Sequence, residues 1–264
     1  MKFLTPILLF ATLTFAQYES DTYGFDQTAS AANTPQTEYS VKSIDSENAK
    51  NDLYTHTHRG FYFSTSLTFA YMSSTHNEKY GHYEKDETKA SGLLYPYEEV
   101  RLGGSIAGVA SIYGLIGAGV GSGSFERKST EADESFKTDD ATLLKLQFGL
   151  GGEFYPIQEK ENPLHGLFVG FAFGLAIDGA FYKRARNSYY DDEDDYYSGD
   201  DGYPYLFYRF EIGKDFWFSK RWSVGVAFNY TYGTYNDENS GYEEDHETDE
   251  STGHTFGLTI RLSH

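Results

Sequence analysis

Between Trp222 and Tyr235 the sequence WSVGVAFNYTYGTY alternates almost without a break. Trp222, Val224, Val226, Phe228, Tyr230 and Tyr232 fall on one side of an extended chain, and Ser223, Gly225, Ala227, Asn229, Thr231 and Gly233 on the other. Successive side chains of a strand point to opposite faces, so this segment is a strand with one bulky apolar face and one small face. A period of two argues against an amphipathic helix, which needs apolar residues three and four apart.

The pattern recurs. Residues 60–72 set Phe61, Phe63, Leu67, Phe69 and Tyr71 against Tyr62, Ser64, Ser66, Thr68, Ala70 and Met72. Val100, Leu102 and Ile106 share a side in 100–108, and 111–123 is glycine-rich and less regular. Leu144, Leu146, Phe148, Leu150 and Phe154 oppose Lys145, Gln147, Gly149, Gly151 and Glu153. Leu167, Val169, Phe171, Phe173, Leu175 and Ile177 oppose Gly170, Ala172, Gly174, Ala176 and Asp178. Leu206, Tyr208, Phe210, Ile212, Phe216 and Phe218 oppose Arg209, Glu211, Gly213 and Asp215, and 255–262 completes a set of about eight strands. The connections alternate: 76–92, 126–140, 184–203 and 236–252 are long and charged, and the breaks near 108–111, 157–164 and 219–221 are short. Alternating turns and long loops describe an up-and-down antiparallel sheet. An even strand number leaves both chain ends on the short-turn side.

Eight such strands close into either of two barrels. A soluble barrel would show Lys, Glu, Gln and Thr outside. Here the less bulky face is mainly Gly, Ala, Ser and Thr with isolated charges, which suits a narrow interior with room only for side chains. The Phe, Val, Leu and Ile face is then a band against lipid, with Tyr and Trp at its edges. The expected fold is all-β: a closed up-and-down antiparallel transmembrane β-barrel of about eight strands over 60–264. It resembles the small eight-stranded outer-membrane barrels of the OmpA/OmpX type in pattern and topology. Those barrels often end on an aromatic residue; this chain keeps Phe256, Leu258, Ile260 and Leu262 in phase but ends in His264.

The first residues, MKFLTPILLFATLTFAQ, carry Lys2, an apolar run from Phe3 to Phe15, and a small-x-small site at Thr14-Phe15-Ala16. Residues 1–16 are expected to be a signal peptide, too short to span a bilayer as a helix. Residues 17–59, rich in Ser, Thr, Asn, Gln, Asp and Glu, are expected to be a flexible periplasmic segment that contains His56 and His58. With no cysteine there is no disulfide framework and no thiolate metal site. A net charge of -19 argues against nucleic acid, whose phosphates need a basic face.

By parity the inward face carries Arg101, Lys145, Arg209 and Arg261 against Glu153, Asp178, Glu211 and Asp215, four against four. Charges in a narrow lumen need partners, so these eight are expected to form a structural network that plugs the barrel. Lys214 falls on the lipid face near a strand end, where it can snorkel to the interface. Arg261 is expected to cross the lumen to Glu211 or Asp215. The acidic stretches 189–203 and 236–251 are expected outside the cell. Asp191, Asp192, Asp194, Asp195, Asp200 and Asp201 are the candidate Ca²⁺ or Mg²⁺ ligands, without EF-hand spacing.

No catalytic residues are assigned: no G-x-S-x-G or H-E-x-x-H occurs, although His76, His82, His246 and His254 lie in or beside the outer loops. The reading is a non-enzymatic, monomeric outer-membrane protein with an envelope-structural or surface-interaction role, no cofactor, membrane lipid as its partner and divalent cations at the acidic loops. The alternative is a lipid-modifying barrel enzyme, which a mutually hydrogen-bonded Ser and His at the outer rim would favour. A soluble secreted ligand-binding barrel stands third.

Overall fold

The alternation of the sequence becomes eight strands, β1 (Gly60–Tyr80), β2 (Glu84–Ile106), β3 (Ala110–Ser129), β4 (Glu134–Phe154), β5 (Leu167–Arg184), β6 (Tyr196–Trp217), β7 (Ser223–Asn239) and β8 (Glu247–Ser263). The computed structural model describes His58 and residues 60–80, 84–130, 134–184, 196–239 and 247–264. The expected signal peptide and all of 17–59 except His58 lie outside the described residues. Each strand pairs antiparallel with its neighbour, and β1 pairs with β8, so the sheet closes into an up-and-down barrel. Closure leaves no unpaired strand edge, which is what permits so apolar an exterior.

The two faces separate as their parity requires. On β5, Val169, Phe171, Phe173, Leu175 and Ile177 are exposed while Ala172, Ala176 and Asp178 are buried in the lumen. Phe148 and Leu150 on β4, Phe210 and Ile212 on β6, Val226 and Phe228 on β7, and Leu258 and Ile260 on β8 continue the same outer band. From Val169 to Ile177 this band has the length of a membrane-spanning strand, 9–11 residues. Lys214 reaches down to donate to the Pro163 carbonyl, with Nζ 5.1 Å from the centre of the Phe216 ring.

The short connections fall where expected. Between β2 and β3 the chain turns through Ala107 and Gly108, both at positive φ (54° and 72°). Asn162 and Lys220 lie in the turns after β4 and β6. The first and last strands end together there, with the His264 amide donating to the Phe63 carbonyl at 2.8 Å.

The long charged stretches differ from the expectation of loops. Most of 76–92 and 126–140 is strand: β1 runs to Tyr80 and β2 begins at Glu84, and β3 ends at Ser129 with β4 beginning at Glu134. β6 likewise begins at Tyr196, and β7 and β8 reach Asn239 and Glu247. Polar residues on both faces erase the apolar alternation, yet backbone pairing continues. Arg127 on β3 reaches Asp86 on β2 at 2.8 Å, and Lys89 reaches Glu87 at 2.6 Å. A strand such as β1, with 21 residues, is about twice the length a bilayer needs, so the barrel continues as paired hairpins beyond its apolar band.

The β1–β8 register sets Phe69 opposite Leu258. A Phe69→Cys/Leu258→Cys pair should oxidise to a disulfide that closes the ring, because directly opposed Cα atoms are about 4.5–5.5 Å apart. Phe69→Cys with Ile260→Cys, a diagonal pair at about 7–8 Å, should cross-link far less. Equal cross-linking on a non-reducing gel would contradict the register.

Candidate functional site

The lumen is built by division of labour between strands. Charged side chains come mainly from the even strands: Glu99 and Arg101 on β2, Lys145 and Glu153 on β4, Arg209, Glu211 and Asp215 on β6, and Arg261 on β8; Asp178 comes from β5. The odd strands answer with small residues, among them Ser64, Ser66 and Thr68 on β1, Ala172 and Ala176 on β5, and Ala227 on β7. Glycine is needed where charges come closest. A Cβ at Gly225 would lie 2.2 Å from Asp215 Oδ1, and one at Gly233 would lie 2.1 Å from the Tyr205 ring.

All eight predicted charges are buried and paired. Arg261 holds Asp215 in a two-pronged contact, Nε to Oδ1 at 3.0 Å and Nη2 to Oδ2 at 2.7 Å. Its Nη1 donates to Glu153 Oε1 at 2.6 Å, and its guanidinium stacks 3.6 Å from the Phe168 ring centre. Arg101 donates to Glu153 Oε1 at 2.5 Å, Glu211 Oε2 at 2.7 Å and Glu99 Oε1 at 2.7 Å. The other Glu99 oxygen accepts from Arg209, which also donates to Gln147 and to Tyr97 Oη at 3.1 Å. Farther along the lumen, Lys145 Nζ donates to Asp178 Oδ1 at 2.8 Å, and Tyr205 Oη donates to Asp178 Oδ2 at 2.5 Å. Of the two partners expected for Arg261, Asp215 is the principal one; Glu211 is at 3.5 Å, and Glu153 is closer.

Three features go beyond the sequence reading. The network has five carboxylates, not four, because Glu99 joins it, 2% exposed. Parity with Arg101 was the available signal, and placing the start of the strand at Val100 hid it. Second, the lumen is not filled by small residues alone. Tyr62, Tyr97, Tyr113, Phe125, Leu143, Tyr205 and Phe207 are buried in it, each 5% exposed or less. Third, His58 is no tail residue: it is 2% exposed, with Nε2 3.3 Å from Asp215 Oδ2 and its ring 4.5 Å from that of Trp217. It closes the short-turn end of the lumen, and its carbonyl accepts from Ser105 Oγ at 2.5 Å. The signal for it was absent, because His58 stands before the alternation begins.

At the long-hairpin end a second polar group faces inward. His76 on β1 lies opposite Ser251 on β8, and Glu78 lies opposite Asp249. Ser251 Oγ is 2.7 Å from His76 Nδ1, Glu78 Oε1 is 2.9 Å from Nε2, and Asp249 Oδ1 is 3.2 Å from Nδ1. His76 and Ser251 are 6% and 4% exposed. A cavity of about 30 Å³ opens beside them, with Ser74, Thr88, Asp178 and Tyr205 also on its wall. His254, by contrast, points outward and pairs with Tyr230 Oη at 2.9 Å. His82, His246, Asp191, Asp192, Asp194 and Asp195 lie outside the described residues, and of Asp200 and Asp201 only the backbone, in β6, is described. Among the described residues no group of His, Asp and Glu is arranged to hold a metal ion.

No protein-family model and no curated protein matches the sequence. Among solved structures it is similar to the outer membrane protein AlkL in lipid bilayers (9% identity, 89% of this chain and 97% of that one, TM-score 0.37). It is also similar to the outer membrane protein OprG from Pseudomonas aeruginosa (11% identity, 78% and 97%, TM-score 0.39). A third is the outer membrane protease OmpT from Escherichia coli (9% identity, 78% and 96%, TM-score 0.37).

Asp215→Asn leaves Arg261 buried without its main counter-charge and should cost about 3–5 kcal/mol of unfolding free energy, whereas Asp215→Leu with Arg261→Met should recover most of it. Urea unfolding of the barrel in micelles reads both, and a change at the solvent-exposed Asp139, Asp139→Asn, should leave the midpoint unchanged. A double variant as unstable as the single one would contradict the pairing.

Proposed function

We propose that this chain is a bacterial outer-membrane barrel closed to solute flow, a monomer with an envelope-structural or surface-interaction role. One observation carries the reading: an apolar exterior encloses a lumen filled by paired charges and aromatic rings. Lipid, not water, is the solvent that makes Phe171, Phe210, Ile212 and Leu258 favourable outside. A soluble ligand-binding barrel needs the opposite arrangement, polar outside and hollow inside. The run at 1–16 supplies the export route to the membrane. The hairpin extensions and the acidic stretches 189–203 and 236–251 then stand outside the cell, where divalent cations bridge their carboxylates to anionic headgroups.

The hydrogen bond between Ser251 and His76 favours a second reading, a lipid-modifying enzyme that uses the same closed barrel as its scaffold. The two readings share the membrane, the orientation and the plugged lumen, and differ in whether the outer mouth does chemistry.

In a planar bilayer the purified protein should give no stable channels of porin size, because the Arg101–Glu153–Arg261 network blocks the bore. Steady large conductance would move the function to transport. In lipid vesicles Phe173→Arg, at the centre of the Val169–Ile177 band, should block insertion, as a midplane Arg facing lipid costs about 2–4 kcal/mol, and Phe173→Leu should insert normally. A heat-modifiability gel reads the folded fraction. Normal insertion of the Arg variant would contradict the lipid-facing band.

A further inference from the structure

The geometry points to a carboxylic-ester hydrolase site at the outer mouth, with Ser251 as nucleophile, His76 as general base and Glu78 as the positioning carboxylate. This rests on the second reading above and gives it residues, roles and a substrate class.

The protons follow from the acceptor at each end. A carboxylate only accepts, so the 2.9 Å contact with Glu78 places a proton on His76 Nε2. In the tautomer that carries this proton alone, Nδ1 holds the lone pair and accepts from Ser251 Oγ, 2.7 Å away. That is nucleophile, base and orienting acid in one hydrogen-bonded chain, with the two ring nitrogens exchanged relative to the common serine-hydrolase order. Rigid elements hold it: His76 and Glu78 are two apart on β1, and Ser251 is directly opposite His76 on β8. Asp249 Oδ1, 3.2 Å from Nδ1, gives the ring a second carboxylate once it takes a proton, which favours the imidazolium formed at the transition state. The cavity of about 30 Å³ beside the pair is the size of one water molecule, enough for the carbonyl of an ester or for the water that replaces its leaving group. Thr88, opposite His76 on β2 and on the cavity wall, offers a hydroxyl to the developing oxyanion.

The steps balance. Ser251 Oγ bonds to the ester carbonyl carbon as its proton passes to His76 Nδ1. The carbon–oxygen bond to the leaving alcohol breaks, and Nδ1 returns the proton to that oxygen. Water then attacks the acyl-Ser251 carbonyl, gives its proton to Nδ1, and the Oγ–carbon bond breaks as Ser251 regains the proton. Ester and water become acid and alcohol. Acyl esters reach this mouth from the outer lipid leaflet or from solution, and both present the same carbonyl.

The test uses the folded full-length protein in micelles and in vesicles. It is treated with a fluorophosphonate probe and assayed with p-nitrophenyl butyrate and with vesicle phospholipid. The label should map to Ser251 by mass spectrometry, vanish in Ser251→Ala, and fall about 10²–10⁴-fold in rate in His76→Gln. Glu78→Gln should lower kcat more than it changes KM, with partial rescue by Glu78→Asp. Ser124→Ala, elsewhere in the outer hairpins, should leave the rate unchanged. Hydrolysis of the vesicle lipid alone assigns the source to the membrane, and hydrolysis of the butyrate alone assigns it to solution. A heat-modifiable, inserted barrel that neither labels at Ser251 nor cleaves either ester overturns the site and leaves the barrel reading standing. Labelling at Ser251 in a protein that does not insert upholds the site and overturns the barrel reading.

Discussion

Every charge inside a ring of eight strands must find its partner within that ring. Such a ring has an interior wide enough for side chains and no wider. Arg261 from β8 therefore spans to Asp215 on β6 and Glu153 on β4, and Arg101 from β2 meets the same Glu153 from the other side. One carboxylate shared by two guanidiniums ties three strands that are not neighbours in the sheet. Removing any member strands a charge in a low-dielectric bore, so the network specifies the packing of the interior more than it adds to net stability. The small residues of β1, β5 and β7 follow from it, because they leave the volume into which those long side chains extend.

The fold was legible where one solvent touched each face. β5 and β7 show uninterrupted alternation, and the structure places their large residues outward and their small residues inward. The lumen charges were legible by the same parity, since Arg209, Glu211 and Asp215 are spaced by even steps on β6. Legibility failed where both faces carry polar residues. In the long hairpins, 76–92 and 126–140 carry charge at odd and even positions alike and read as loop. It also failed for His58, whose burial comes from the Trp217, Tyr62 and Tyr155 rings and from Asp215, brought together by closure. Glu99 lay one residue beyond a strand start that the apolar pattern alone set at Val100. The pairing of Ser251 with His76 depends on the β1–β8 register, which only barrel closure determines.

The two ends of the lumen differ in kind. The short-turn end is sealed by aromatic rings around His58 and by Tyr155 against Glu153 and Asp215. The long-hairpin end combines a hydrogen-bonded Ser–His–Glu chain and a small cavity with an apolar cluster of Met72, Leu94, Phe125, Leu143 and Tyr182.

The claim on which the account turns is that the bore is filled. Because the chain has no cysteine, Ser64→Cys and Ser66→Cys place one small thiol each in the lumen with little change in volume. In the folded, inserted protein both thiols should resist a charged, water-soluble thiol reagent added from either side, and should react only after unfolding. A Lys160→Cys control in the exposed β4–β5 turn should react at once. Rapid modification of both lumen thiols in the folded barrel would show a water-filled bore and contradict the account.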